Sequence, residues 1–556
     1  MQIAIGMPIG YPVASAKAAG IFNYLLNDTF TTDRAAGAID GTMPEPGPGG
    51  KRSMIDSATR ASIASGDLVF TTSAANDPRV AYAPISVTRG RALLMEHTPA
   101  TTGLVIGFGA TSSATNVSNV FQFNASGLVG ALISGSVTVG SYSAGVRYKA
   151  VIIHRAPGYY WFLWDNSAQT WRLLGRSTSF GNAGQALSPV FGARGVSSLN
   201  CHGFRIPALL WSPVPLLSDG FSVWGTSDGL GHQEGIDGGV GRGGAGVSWV
   251  GTGWSVATGK ATNTPTKGAQ LLTDGALDVW ASSTNLTNWV ETIAGTSTVT
   301  QETTDVRSGS AAKLTCDASN NLAKIAQTLV NSNGDLLLIS LWAKTSVAGR
   351  SIAPDENSGG ISGQVIPLTT AYAQYTTIMK ASKANTDIGI KRSTMSSAFA
   401  LLEDVTVQTI NLLSATAWVS LAKADVLLSA AFTLATGSLA GLIVAADSSS
   451  APTNFALIVV GTNLLQVFKV VAGVLSAVSA TAITIVTDGE LVVRKQGSEF
   501  RCLYNNAAVV TATIADAGIV SNTIHGVIST DSTTTIDNVL AHAVDSAAYA
   551  TVLDNY

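Results

Sequence analysis

Apolar and polar positions alternate with a period of two along most of this chain. Segments such as ASIASGDLVF (61–70), AYAPISV (81–87), RALLMEH (91–97), GLVIGFG (103–109), YKAVIIH (148–154) and YYWFLWDN (159–166) are short and bounded by turn residues. That pattern predicts strands packed as β-sandwiches. In the last segment both faces are apolar, with Tyr160, Phe162 and Trp164 on one side and Tyr159, Trp161 and Leu163 on the other. The run Phe455–Leu475 is long enough to span a membrane, but Gly461-Thr462-Asn463 marks a turn inside it and Lys469 would lie in lipid. It therefore predicts two strands and no membrane segment. Helical spacing is confined to Val13–Leu26, in a leader over 1–27 that reads as a docking segment or a tail along the first domain.

Self-comparison supplies the layout. The segment starting at Gly103, GLVIGFGATSSATNVSNVFQF, matches GLIVAADSSSAPTNFALIVV starting at Gly441, an offset of 441 minus 103, or 338. Further on, VIIHRAPGYYWFLWDN matches LVVRKQGSEFRCLYNN with Asp165 on Asn505, an offset of 505 minus 165, or 340. This register sets Tyr160, Phe162 and Trp164 on Phe500, Cys502 and Tyr504, so that one face stays apolar in both copies. Tyr159 and Trp161 then correspond to Glu499 and Arg501, on the outer face, where aromatics can stack on a sugar or bury against a partner subunit. The Asn505-Asn506 pair suits the left-handed angles of a tight hairpin.

An opening segment precedes the first copy: LLNDTF (25–30), a Gly/Pro-rich loop, then ASIASGDLVF. Nothing comparable directly precedes the second copy. It stands instead at Leu216, where LLSDGF, a Gly-rich loop and GWSVATGKATN follow in the same order. The expected architecture is all-β, with serial sandwiches: the docking segment 1–27, sandwich 1 over 28–212, the first part of sandwich 2 over 213–266, an insert over 267–408, and the remainder of sandwich 2 over 409–556. IDNVLAHAV (536–544) should return to pair near LLSDGF.

The insert carries Asp274-Gly275, Asn288-Trp289, Ser308-Gly309-Ser310, Leu341-Trp342-Ala343-Lys344 and Glu403-Asp404-Val405 in that order. These motifs resemble those of carbohydrate-binding modules of the galactose-binding-like jelly-roll type, whose calcium site and sugar site the resemblance brings into question here. Ala276 replaces the acidic residue often found beside the first motif, which leaves Asp404 as the one named calcium ligand of the six or more oxygens such an ion needs. Trp289 and Trp342 fall on positions that are core in that family, so Tyr372 and Tyr375 remain as sugar-contact candidates, with ordinary packing as their other reading. The flanking repeats resemble concanavalin-like or laminin-G-like jelly rolls in strand order and turn placement. That likeness bears on fold and not on function.

Composition narrows the function. Charged residues make up 12% of the chain and the net charge is -3, about half the usual charged share for a globular protein. No long-range field would attract a phosphate backbone, so nucleic acid is not an expected partner. Cys201, Cys316 and Cys502 are far apart and read as core residues. The start lacks a basic stretch ahead of its apolar one, so an ordinary secretory signal is not expected. Gly239-Val240-Gly241-Arg242-Gly243-Gly244 fits a nucleotide-loop spacing, yet strand-like sequence follows it where a helix is required. His232, Glu234 and Asp237 match no metal scheme and read as a solvated loop. No catalytic motif stands out. The expectation is a non-enzymatic structural protein without a cofactor, resembling bacteriophage virion proteins of the tail-fibre, spike or decoration type. Its partners would be other virion proteins, further copies of itself and host-surface glycans. A bacterial cell-surface or secreted glycan-binding protein is the alternative, and a phage polysaccharide depolymerase a third.

Overall fold

The computed structural model describes residues 24–545, apart from 46, 57–58, 72–77, 87–91, 100–103, 110–116, 124–127, 133–135, 156–157, 166–168, 178–185, 194–198, 208–215, 220–248, 258–259 and 357–362. Most of the leader 1–27, the glycine-rich motif 239–244 and His232, Glu234 and Asp237 lie outside the described residues. The protein is all-β, with 58% strand and 2% helix. Among the described residues no helix is long and apolar enough to cross a membrane.

Two sheets of the same topology recur. The first runs Thr170–Ser177, Gly158–Asp165, Tyr148–Arg155, Ala92–Thr98, Leu199–Pro207, Asp67–Phe70, Ala61–Ala64, with Tyr24–Asp28 also on Leu199–Pro207. Its counterpart runs Ala507–Thr513, Glu499–Tyr504, Gly489–Gln496, Val426–Thr433, Thr535–Ala543, Lys260–Asn263, Trp254–Ala257, with Leu217–Asp219 also on Thr535–Ala543. The facing sheets follow the same path, from Ser136–Ser141 through Leu104–Gly109 to Ser53–Ile55, and from Val474–Ala482 through Leu439–Ala446 to Val250–Gly251. The exception is Ile85–Ser86, which pairs with Ala186–Ala193 in the first and has no counterpart among the described strands of the second. Leu217 pairs with Ala541 and Ala261 with Ile536, so strands on either side of residues 267–410 share one sheet.

The intervening residues form their own pair of sheets. One runs Thr298–Glu302, Ala311–Thr315, Phe399–Ile410, Leu336–Thr345, Ala373–Lys380, and the other Val290–Ile293, Ala323–Thr328, Asp387–Thr394, Ser351–Glu356, Ile366–Pro367. Leu314, Ile325, Leu337, Ile339, Ile390 and Val407 are among the buried residues between them. Asn263 closes the insertion point: its side-chain amide donates to the carbonyls of Ser414 at 2.9 Å and Ser529 at 3.2 Å. Lys267 adds an ion pair with Asp531 at 2.8 Å.

Hairpin registry corrects the alignment of the copies. Arg155 pairs with Gly158 and Gln496 with Glu499, which makes the offset here 499 minus 158, or 341. Tyr159, Trp161 and Leu163 therefore match Phe500, Cys502 and Tyr504. A slip of one residue exchanges the two faces of a strand. Trp161 shares its face with Ile152, Leu93, Met95 and Phe204, and Phe204 stacks on Tyr82, the residue after the strand Arg79–Ala81 of the opposite sheet, with ring centroids 5.3 Å apart. Tyr159 and Trp161 are each 1% exposed and belong to that interior, not to an outer face. The outer face is that of Tyr160 and Phe162. It packs on the second sandwich, whose Leu427, Val492 and Leu503 join the same apolar cluster. Tyr160 Oη lies 3.1 Å from His542 Nε2, Arg494 Nε donates to the Leu173 carbonyl at 3.0 Å, and Arg176 forms a buried ion pair with Glu490. The Asn505-Asn506 turn has the expected left-handed angles, φ 47° and 64°.

Two buried histidines predict a fold that loses stability in acid. Burial holds His97 at about 3 and His525 at about 4, against an ordinary value of 6.5. Stability from a depressed histidine is complete above the unfolded value and drains away as pH falls through the folded one, here from about 6.5 towards 3. Among the described residues neither ring nitrogen of His97 has a hydrogen-bond partner. His97→Phe should therefore preserve the fold and flatten the loss of stability between about pH 6.5 and pH 4; an unchanged slope in a denaturant series across that range would count against this. Asn263→Ala should lower stability by about 1–3 kcal/mol, since two carbonyls lose a donor, and urea unfolding measures it.

Candidate functional site

Alternation along Leu336–Thr345 divides its side chains between two tasks. Leu337, Ile339, Leu341 and Ala343 enter the core of the insert. Leu338, Ser340, Trp342 and Lys344 point the other way, and Leu338 packs with Ile378, Leu439, Leu457 and Val459 in a cluster shared with the second sandwich. The neighbouring strand repeats this division, because Ser340 pairs with Thr376, Leu341 with Tyr375 and Trp342 with Gln374. Gln374 thus shares the outward face of Trp342. Tyr375 is fully buried, with its hydroxyl accepting the Thr369 N–H at 3.0 Å. Of the two tyrosines named from the sequence, only Tyr372 is at the surface.

Beyond Leu338 the second sandwich stands off from the insert and leaves a groove of ≈ 530 Å³. From the insert come Trp342, Thr369, Tyr372 and Gln374, and from the second sandwich Thr462, Asn463 and the segment 482–484. The walls are tied together below the groove. Asn463 Nδ2 donates to the Gln374 carbonyl at 3.1 Å, and the buried Gln466 donates to the Thr376 carbonyl at 2.8 Å. Gly461 is required at this approach, because a Cβ there would sit 2.9 Å from the Thr376 carbonyl oxygen and 2.5 Å from Leu439 Cδ2.

Both aromatic rings are held by cations. The Arg307 guanidinium lies 3.6 Å from the centre of the Trp342 ring, and Lys344 Nζ lies 4.8 Å from that of Tyr372. Each cation also has an acidic partner: Arg307 binds Asp404 at 2.6 Å, and Lys344 binds Asp305. Tyr372 donates its hydroxyl to the Asp305 carbonyl at 3.0 Å, and burial, then the nearby Glu403 carboxylate, push its phenol far above the ordinary range. It stays a neutral donor. Glu403 is buried and accepts the backbone N–H groups of Arg307 and Ser308 at 2.9 to 3.2 Å. A bulge produces this arrangement, since the register shifts between Ser340 and Trp342 opposite Asp404, whose φ is 49°.

Asp404, the calcium candidate, is thus engaged by a guanidinium. Among the described residues no group of three or more His, Cys, Asp or Glu side chains is placed to hold a metal ion. Asp274 instead accepts the N–H groups of Asp278 and Val279 at 3.2 Å each, and Trp289 is buried with its indole N–H on the Asp274 carbonyl at 2.9 Å. Trp342 was expected in the core but lies half-buried at the groove. The signal that distinguishes it is its parity with Ser340 and Lys344 in an otherwise apolar strand. Gln374 and Thr484 carry no sequence signal of their own, and Asn463 carries one only for the turn it forms, where its φ is 61°.

No family model matches the chain, and no curated protein matches it. Among solved structures it is similar to carbohydrate-binding module CBM66 from Bacillus subtilis, with 17% identity over 23% of this chain and 83% of that one, at a TM-score of 0.20. The CBM22-1 xylan-binding domain from Paenibacillus barcinonensis shows 13% identity over 27% of this chain and 97% of that one, at 0.21. The enzymatically active domain of the bacteriophage CBA120 tailspike protein 4 shows 16% identity over 26% of this chain and 21% of that one, at 0.21. Likenesses at these scores define no function.

Asp404→Asn, which keeps a residue type that tolerates φ 49°, should cost less than about 1 kcal/mol, as expected for an exposed pair, and should loosen Arg307 from Trp342. Tryptophan fluorescence, compared with that of Arg307→Ala, reads the second effect; a cost of several kcal/mol would give Asp404 a larger role.

Proposed function

We propose that this chain is a non-enzymatic structural protein of a bacteriophage particle, of the tail-fibre, spike or decoration type, which serves assembly and host-surface glycan adhesion. The supporting observation is the continuity of its packing. Three sandwich modules share apolar clusters and buried polar contacts at both of their junctions, giving a stiff β-body rather than modules on flexible linkers. Such a body can carry load between particle and host and hold a binding groove in a fixed direction. This reading calls for neither a cofactor nor a metal, with other virion proteins and further copies of the chain as its partners.

The groove gives equal support to a second reading, a bacterial cell-surface or secreted glycan-binding protein. A depolymerase would need two carboxylates facing each other across the substrate. Among the described residues the groove's lining has no carboxylate, and Asp305, Asp404 and Glu403, which contact the cations and backbone beside its rings, are engaged by Lys344, Arg307 and backbone amides, which favours binding over hydrolysis.

Mass spectrometry of purified particles checks the first reading and should find the chain at a fixed ratio to other virion proteins. Its absence there, with recovery from the bacterial surface or culture fluid, would leave only the second.

A further inference from the structure

We infer that the groove between the insert and the second sandwich is a composite binding site for a neutral polysaccharide chain, built by both modules together. The inference rests on the adhesion reading and specifies where and to what it applies. The ≈ 530 Å³ volume falls within the range of about 300–1,000 Å³ usual for small-ligand sites. More telling is its lining.

Trp342 and Tyr372 line the groove; a cation covers one face of each ring, and the other face is assigned here to the C–H face of a pyranose. Thr369, Gln374, Thr462, Asn463 and Thr484 surround them with hydroxyl and amide groups. The amide nitrogens of Gln374 and Asn463 already donate to Ser340 Oγ and to the Gln374 carbonyl. Their side-chain oxygens are then the acceptors that remain to be matched, and sugar hydroxyls are donors. The lining contains no acidic or basic side chain, and the two cations beside it are paired with Asp404 and Asp305. Among the described residues lining the groove there is no free positive charge to offset a uronate or sialate, so acidic glycans would be desolvated there without compensation.

The site is also preorganised. Cations fix both rings, and the Asn463 and Gln466 hydrogen bonds fix the distance between the walls, so little ordering is needed on binding. Because one wall belongs to each module, the insertion creates the site.

The test uses the full chain against immobilised neutral glucans, galactans and mannans beside polyuronates. Two variants probe the two walls: Trp342→Ala on the insert and Thr484→Trp on the second sandwich. Thr484 is exposed, so its replacement fills the groove without disturbing a core. The expected result is salt-independent binding to one or more neutral polysaccharides, weakened at least about tenfold by either variant with thermal unfolding unchanged for Thr484→Trp. Neutral-glycan binding that both variants leave intact overturns the groove assignment while the adhesion reading stands. Binding only to polyuronates, lost on adding salt, overturns the ligand class. Silence of the full chain on every glycan overturns both the groove and adhesion, and leaves the assembly role to the particle analysis.

Discussion

The constraint on which the rest of the molecule depends is that the second sandwich is covered on both of its outer faces. Every residue of Phe455–Gly461 is buried. Ala456, Ile458 and Val460 face the sandwich interior, whereas Phe455, Leu457 and Val459 face the cluster shared with the insert. On the other sheet Leu427, Val492 and Leu503 join the core of the first sandwich. Strands buried on both sides read as unbroken apolar runs, which is the physical reason that 455–475 looks long enough for a membrane. It also binds the three modules into one body, since an apolar sheet face of this extent left in water invites association.

Much of the plan is legible in the sequence because the duplication preserved its turns. The opening hairpin recurs as Ala61–Ala64 with Asp67–Phe70 and as Trp254–Ala257 with Lys260–Asn263, at the same place in its sheet. The pairing of Leu217 with Ala541 follows from that displacement. What the sequence concealed was finer. Alignment by the Asn-Asn turn set the register one residue off, and with a period of two this error reversed the faces of Tyr159–Trp164. Both faces there are apolar, so hydrophobicity gave no warning. The groove was hidden for another reason: its walls are about a hundred residues apart in the chain, and only the packing of two outer faces brings Trp342 opposite Asn463 and Thr484. A motif reading assigned Trp342 to a core, although its strand parity pointed outward.

A few of the chain's charges stand where modules meet. Arg176 and Glu490 are buried between the two sandwiches, Lys267 and Asp531 sit at the insertion point, and Arg307 and Lys344 brace the groove. Such pairs add little net stability when buried, but removing one member leaves the other uncompensated. Arg176–Glu490 and Lys267–Asp531 penalise docking arrangements in which those partners do not meet, whereas Arg307–Asp404 and Lys344–Asp305 lie within the insert and order its own wall of the groove. Apolar faces supply the attraction between modules, and the sparse charges select the orientation.

The separation of Leu217–Asp219 and Lys260–Asn263 from Thr535–Ala543 also sets an order of events during synthesis. Ala261 leaves the ribosome 275 residues ahead of its partner Ile536, an interval of roughly 14–55 s at ordinary elongation rates. Both neighbours of the second sandwich have by then been made in full and are free to fold. Among the described strands, Thr535–Ala543 is the last to emerge and the one that joins the early strands to the late ones, closing the central module between two surfaces already in place.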